Sequence, residues 1–284
     1  MKIIAVIPAR YSSTRLPGKV LLKDTGKFLI QHTYEQACLA KLPDKVIIAA
    51  DDEKIVSAAK SFGAECILTS INHQSGTDRI AEVVQKLAGS VQRTADSKNL
   101  NAPRSTLNAD DIIVNVQGDE PEIDPANIDK VAKILVDNPD YPMATLVAPF
   151  EKAEDVANPN IVKVIVSSCV ERDAYREKNT QYPIPNTQHA LYFSRSPIPY
   201  DRQSGGIGDL NLYLRHIGIY AYRKDFLLKI TALPQSPLEK TEKLEQLRAI
   251  ENGYGILVGR IERTCDGIDT PEQYAEFVKR YNKK

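Results

Sequence analysis

The sequence predicts an α/β fold, a mostly parallel, doubly wound sheet carrying an antiparallel extension. Three observations predict it. Apolar runs rich in β-branched residues at 3–7, 45–50 and 111–116 read as strands buried on both faces. Segments with helical spacing lie between them, the alternation that builds parallel sheets. After residue 160, strand-like segments at 161–166, 190–195 and 214–223 follow one another with no helix between, which favours antiparallel pairing.

Each element has a local cause. The first strand breaks at Pro8 into a loop of small polar residues running to Gly18. Residues 28–41 place Leu29, Ile30, Thr33, Tyr34, Ala37 and Cys38 at helical spacing, and Pro43 and Asp44 end that helix. The strand 45–50 leads to Asp51 and Asp52, which cap a helix stopped by Gly63. A short strand, 65–69, precedes the polar loop 73–79 and a helix over 80–87. Residues 89–110 are polar and aperiodic and read as a surface insertion. The strand 111–116 runs into Gln117-Gly118-Asp119, followed by a helix over 125–136, a strand over 143–149 and a polar connector over 151–160. In the second half, 171–188 is polar and 201–212 is a Gly-rich loop. A helix starts at 224–231, and 236–252 reads as one longer helix with Leu238, Leu244, Leu247 and Ile250 on one side. A strand at 256–262 and a helix at 271–281 close the chain. No repeat or linker divides it, so a single domain over 1–284 is expected, with a soft division near residue 150.

Composition narrows the function. Apolar residues make up 42% of the 284 and charged residues 26%, with formal net charge zero. Bulk charge gives no support to nucleic acid or a membrane surface as partner. No apolar run approaches the ~20 residues of a membrane span. Met1 and Lys2 lead straight into a strand, so no signal peptide is expected and a cytoplasmic location is. Cys38, Cys66, Cys169 and Cys265 are widely spaced and read as free, mostly buried thiols.

The chemistry gathers in loops that leave strands. Arg10, Arg15 and Lys19 stand in the loop after the first strand, where open α/β sheets bind ligands. Three cations with free backbone N–H groups suit a polyphosphate, against the alternative of a solvated basic turn. Asp119, just past a buried strand, can hold a hard cation such as Mg²⁺, although Gly-Asp is also an ordinary turn. Asp269 precedes Thr270 and Pro271; it can be a helix cap, a second metal carboxylate, or both.

Seven ordered blocks carry a resemblance. They are Pro-Ala-Arg-Tyr-Ser-Ser-Thr-Arg-Leu-Pro-Gly-Lys, His-Gln-Ser-Gly-Thr-Asp-Arg, Asn-Val-Gln-Gly-Asp-Glu-Pro, Ala-Leu-Tyr-Phe-Ser-Arg, Arg-His-Ile-Gly-Ile-Tyr, Leu-Glu-Gln-Leu-Arg and Asp-Thr-Pro-Glu. From residue 2 to about 278 the chain resembles the CMP-Kdo synthetase (3-deoxy-manno-octulosonate cytidylyltransferase) family, with 89–110 and 173–188 looking like insertions. The resemblance implies a GT-A-like nucleotidyltransferase sheet, a CTP-binding half up to 150, and a sugar-binding and dimerisation half over 151–284. It implies a homodimer that uses CTP, Mg²⁺ and Kdo for lipopolysaccharide precursors.

By motif match, Arg10, Arg15 and Lys19 contact the triphosphate and Asp119 and Asp269 hold Mg²⁺. Pro8, Ala9, Gln74, Ser75, Gly76, Arg79 and Gln117 join the nucleotide site, Gln74 with an amide able to meet the cytosine edge. Gln117, Arg195, His216, Tyr220, Glu245 and Gln246 are the implied sugar ligands, Arg195 pairing with the sugar carboxylate. The bland reading of the His73–Arg79 block is a helix start capped by Thr77 or Asp78. His32 and His189 keep structural readings. Tyr200 stands where many relatives have Trp, and His73-Gln74 favours Kdo over an 8-amino analogue. Competing readings are the same reaction on another sugar acid, or a catalytically dead nucleotide-sugar-binding protein.

Overall fold

The computed structural model describes residues 1–13, 15–95, 107–167, 188–262, 264 and 267–283, with the backbone alone for 89–95. Among these, strands β1 (Ile3–Ala9), β2 (Lys45–Ala50), β3 (Cys66–Leu68), β4 (Ile112–Asn115), β5 (Met143–Pro149), β6 (Lys163–Val166), β7 (Gln188–Ser194), β8 (Leu214–Arg223) and β9 (Ile256–Arg260) form one sheet. Its order is β3-β2-β1-β4-β8-β5-β9-β7-β6. β1 pairs in parallel with β2 and β4, and β2 with β3. β8 runs antiparallel to both β4 and β5, and β6 antiparallel to β7. β9 pairs in parallel with β5 and antiparallel with β7. Because β8 lies between β4 and β5, the two halves of the chain share one sheet.

The helices are α1 (Leu29–Cys38), α2 (Glu53–Ser61), α3 (Gly76–Ala95), α4 (Pro125–Asp137), α5 (Ala153–Ala157), α6 (Lys224–Ala232), α7 (Pro237–Glu242), α8 (Leu247–Glu251) and α9 (Pro271–Tyr281). Strand alternation sorts the core into two faces. Ile7 and Ile48 pack with Ile30, Ile55 and Val131 of α1, α2 and α4. Val6 and Ile47 pack on the other face with Ile80, Val84 and Leu227 of α3 and α6. Full burial of each such side chain is worth about 1.5–3 kcal/mol, so the doubly wound arrangement follows from strands apolar on both faces. No described helix is long and apolar enough to cross a membrane.

Four expectations change. The helix expected at 80–87 runs from Gly76 to Ala95, so part of the expected insertion is helical. Leu107, at its far end, is 6% exposed and belongs to the core, while 96–106 lie outside the described residues. Residues 171–187 also lie outside them, as do Cys169 and Cys265; Cys38 is free and exposed rather than buried. The connector after 150 holds the short helix α5.

The single helix expected at 236–252 is two. Lys243 takes a left-handed conformation at φ 55°, ending α7, and α8 starts only at Leu247. Leu238 is thereby left 38% exposed, while Leu244 and Leu247 are buried. A left-handed residue is a normal helix stop, but here the sequence offers Lys rather than Gly, so nothing local announces it.

Candidate active site

The basic loop leaves β1 at the carboxyl edge of the parallel strands. Gly18 at φ 63° supplies the left-handed turn that swings the chain into a short 3-10 helix, Lys19–Leu21. Leu16 is buried against Leu29 and against Ile268, Tyr274 and Phe277, which fastens the loop to α9. Lys19 is therefore held with its side chain 10% exposed.

Two carboxylates meet at that side chain. Lys19 Nζ lies 2.7 Å from Asp119 Oδ2 and 3.0 Å from Asp269 Oδ1. Arg15 Nη2 takes the other Asp269 oxygen at 2.9 Å. Backbone contacts bring these distant segments together. A Cβ on Gly118 would lie 2.6 Å from Pro8 O, so only glycine lets the exit of β4 pass β1 so closely. Ile268 N donates to Asp119 O at 2.8 Å. Thr270 caps α9, in a capping box with Gln273, so the Asp269 side chain is spared for the cations. Among the described residues no three His, Cys, Asp or Glu gather as a metal cluster. Two carboxylates that already share one ammonium suit Mg²⁺, which takes one or two carboxylates plus phosphate oxygens. Arg10 is half-buried and makes no hydrogen bond or ion pair among the described residues.

The His73–Arg79 block sits beside this loop, with a Cβ on Gly76 only 3.3 Å from Pro8 Cγ. Ser75, rather than Thr77 or Asp78, caps α3: Asp78 N donates to Ser75 Oγ at 3.1 Å and Ser75 N to Asp78 Oδ2 at 3.2 Å. Glu82 on α3 accepts from Ser70 N at 2.9 Å and pairs with Lys86 at 2.7 Å and with His73. Burial alone would raise its pKa, but Lys86, Ser70 and His73 together hold the carboxyl at about 2. Gln74 is exposed and its amide donates to Asn72 O at 3.3 Å. Arg79 is fully buried against Asp51, so its guanidinium is closed to solvent.

The sugar-side candidates converge at a bulge in β8. The pairing with β5 shifts between Thr145, opposite Tyr220, and Leu146, opposite Ile217. Four residues along a regular strand span about 13 Å, yet the His216 and Tyr220 rings are 5.3 Å apart. The buried Thr145 hydroxyl donates into the bulge, at 2.8 Å to Ile219 O, and sits 3.1 Å from His216 Nε2. With its proton so used, Thr145 accepts from Nε2–H, which leaves Nδ1 as a free acceptor. Phe193 closes the ring edge-on at 5.0 Å, and burial pushes the imidazole pKa down to about 3, so His216 is neutral.

Glu245 and Gln246 lie in the turn between α7 and α8, not on a helix as expected. With Thr77, Tyr220 and Tyr222 they line one cavity. Thr77 Oγ1 donates to Glu245 Oε2 at 2.8 Å, and burial raises the Glu245 pKa. Gln246 is 5% exposed, and its Nε2 has no hydrogen-bond partner among the described residues. Gln117 Nε2 donates to Gly218 O in the bulge at 2.8 Å. Arg195 instead braces backbone, donating to Glu242 O at 2.6 Å, Pro159 O at 2.9 Å and Lys243 O at 3.4 Å. One N–H on each Nη remains after these bonds. His32 is structural as read, with Nε2 2.7 Å from Thr25 Oγ1.

Sequence reasoning passed over Asp51, Thr77, Glu82, Thr145 and Tyr222. Asp51 did leave a signal: two aspartates follow a buried strand and one, Asp52, suffices as the cap.

A basic loop at the carboxyl edge of a parallel sheet, facing two carboxylates, with a cavity beside it lined by tyrosines, Glu245 and Gln246, defines a nucleotidyltransferase-type α/β enzyme. The cytidylyltransferase family model matches residues 4–261. A 3-deoxy-manno-octulosonate cytidylyltransferase of Solibacter usitatus is 45% identical, covering 95% of this chain and 91% of that protein. One from Thermodesulfovibrio yellowstonii is 44% identical, covering 96% and 95%. A solved structure of CMP:2-keto-3-deoxy-manno-octonic acid synthetase complexed with CTP superposes with a TM-score of 0.80 at 37% identity, covering 100% of this chain and 99% of that one. The chain belongs to the 3-deoxy-manno-octulosonate cytidylyltransferase family.

Proposed function

We propose that the protein activates 3-deoxy-D-manno-octulosonate by transferring CMP from CTP to its anomeric hydroxyl, giving CMP-Kdo and pyrophosphate for lipopolysaccharide biosynthesis. The observation that carries this reading is the meeting of Asp119 and Asp269 on Lys19 beside the basic loop. The full-length family match selects CTP and Kdo among possible substrates.

The C2 hydroxyl oxygen attacks the α-phosphorus, the bond to the β-phosphate oxygen breaks, and the hydroxyl proton is lost. Charge builds on phosphate oxygens, so the protein's task is to position and neutralise. Arg10, Arg15 and Lys19 clamp the leaving pyrophosphate. Asp119 and Asp269 would hold Mg²⁺, which when bound would supply charge neutralisation at the phosphates and a lowered pKa at the attacking hydroxyl. Pro8, Ala9, Ser75 and Gly76 shape the nucleotide site, with the Gln74 amide free to leave Asn72 for the base.

On the sugar side, His216 offers Nδ1 as an acceptor, Gln246 its unpaired Nε2–H, and Glu245, Tyr220 and Gln117 further polar contacts. The sugar carboxylate pairs with the N–H groups that Arg195 does not spend on carbonyls. Arg79 supports the nucleotide site from within rather than by contact. A homodimer working in the cytoplasm belongs to the same reading, and analytical ultracentrifugation tests the dimer.

Pyrophosphate release with CTP, Mg²⁺ and a panel of 2-keto sugar acids tests the function. Release with Kdo is expected. Release with a different acid and none with Kdo overturns the substrate, and none with any acid overturns the reaction.

A further inference from the structure

Asp51 makes contacts that its position after β2 does not require. Its Oδ1 accepts from Tyr11 N, in the basic loop, at 2.8 Å. Its Oδ2 pairs with Arg79 Nη2, on α3, at 3.3 Å. Arg79 Nη1 in turn donates to Thr69 Oγ1 at 2.6 Å and to Ser70 O at 3.3 Å. Thr69 Oγ1 donates to Ala50 O at 2.7 Å. One buried carboxylate and one buried guanidinium thus join the exits of β1, β2 and β3 to the first turns of α3.

Fold stability does not account for this pair. Side-chain exposure is 0% at Arg79 and 6% at Asp51, so both charges are removed from water. Buried pairs of this kind are often matched or bettered by packed apolar residues. Among the described residues Arg79 Nε also lacks a partner, a cost that a purely stabilising pair would avoid. Helix capping is no explanation either, because Asp52 performs it for α2. What the pair does supply is geometry. A guanidinium fork and a carboxylate fix direction as well as distance.

We propose that Asp51 and Arg79 are positioning residues for the nucleotide: they set the separation of the basic loop from the His73–Gln74 loop. These loops are the two proposed to grip opposite ends of CTP, and among the described residues no backbone hydrogen bond joins them directly. The inference rests on the cytidylyl-transfer reading. Neither residue touches the nucleotide; each acts through loops that do. Among the sugar candidates, His216 and Tyr220 on β8 and Arg195 after β7 stand on other elements, and Glu245 meets α3 through the Thr77 hydroxyl.

The test compares KM for CTP with KM for Kdo in Asp51→Asn and Thr69→Val, using pyrophosphate release, with thermal melting alongside. Activity of the unmutated enzyme is established first, so failure of the reaction reading appears there and not in the variants. Asp51→Asn keeps an acceptor for Tyr11 N but turns an amide toward Arg79. Thr69→Val removes an acceptor from Arg79 at nearly constant shape. Asp51→Asn should raise the CTP KM about tenfold while the Kdo KM stays within about twofold. Thr69→Val should raise the CTP KM about threefold. An unchanged CTP KM in folded Asp51→Asn overturns the inference, as do CTP and Kdo KM values that rise together. If Asp51→Asn does not fold, Thr69→Val decides alone, and an unchanged CTP KM there is equally fatal.

Discussion

The two sides of the site are built on different physics. On the nucleotide side the polar groups are ions, and they have found one another: Lys19 holds both Asp119 and Asp269, and Arg15 holds Asp269 again. On the sugar side, Arg195 apart, charge is scarce and pairing incomplete: His216 is uncharged, burial raises the Glu245 pKa, and Gln246 Nε2 has no partner among the described residues. A cluster of charges must exchange partners to bind, since leaving any of them unpaired under cover is costly. A set of neutral groups can instead wait with open hydrogen-bond positions, each costing about 1–3 kcal/mol when buried. This contrast fits the proposal that the first side exchanges its ion partners for phosphate and the second recognises hydroxyls.

Substitutions can break this contrast, and the charged side should break hardest. Asp119→Asn or Asp269→Asn should lower kcat by about 1,000-fold with the melting temperature nearly unchanged, because phosphate charge goes uncompensated. Near-normal turnover in either variant removes that residue from the metal site. Lys19→Met should cost about 100-fold in kcat/KM for CTP, roughly 2.7 kcal/mol. It also leaves two carboxylates facing without their ammonium, so melting should fall and should recover with added Mg²⁺. A melting temperature indifferent to Mg²⁺ counts against the shared cation position.

Gln246→Leu sharpens the neutral side. It removes the buried orphan amide, so stability should rise by about 1 kcal/mol while the Kdo KM rises about tenfold and the CTP KM holds. Lower stability in this variant overturns the reading of Nε2 as an unpaired donor.

A last effect is in pH. Burial holds folded His216 at about 3 against its ordinary 6.5. Between those values the unfolded chain binds the extra proton, so this contribution is full above pH 6.5 and is lost as pH falls toward 3. The slope reaches at most about 1.4 kcal/mol per pH unit. His216→Asn should flatten the acid side of the melting profile, and an unchanged slope disproves the neutral buried ring.

Legibility in the sequence followed locality. The boundaries of β5, β8 and α9 agree with the apolar patterns at 143–149, 214–223 and 271–281, where pattern and burial coincide. The basic loop, Asp119 and Asp269 were readable because each follows a strand or precedes a capped helix. The break at Lys243 was not, because an apolar spacing that continues across a turn looks like one helix. Leu107 looked like part of a polar stretch, and only packing against the sheet made it core. Arg79 reads as a nucleotide-site residue because a cation in a loop motif carries no mark of where its guanidinium goes; tertiary packing turns it onto Asp51.

By itself the sequence determined the parallel half of the sheet, the candidate residues and the family, since strand patterning and motif order are properties of the chain alone. Tertiary structure decided which of those residues meet. Asp119 and Asp269 are 150 positions apart and join on Lys19 because β4 and the segment before α9 end at the same sheet edge. The bulge in β8 draws His216 to Tyr220, and the broken helix turns Gln246 into the cavity. Spacing along a chain cannot encode such meetings, because they depend on how separate elements pack, and packing is settled by the whole core at once.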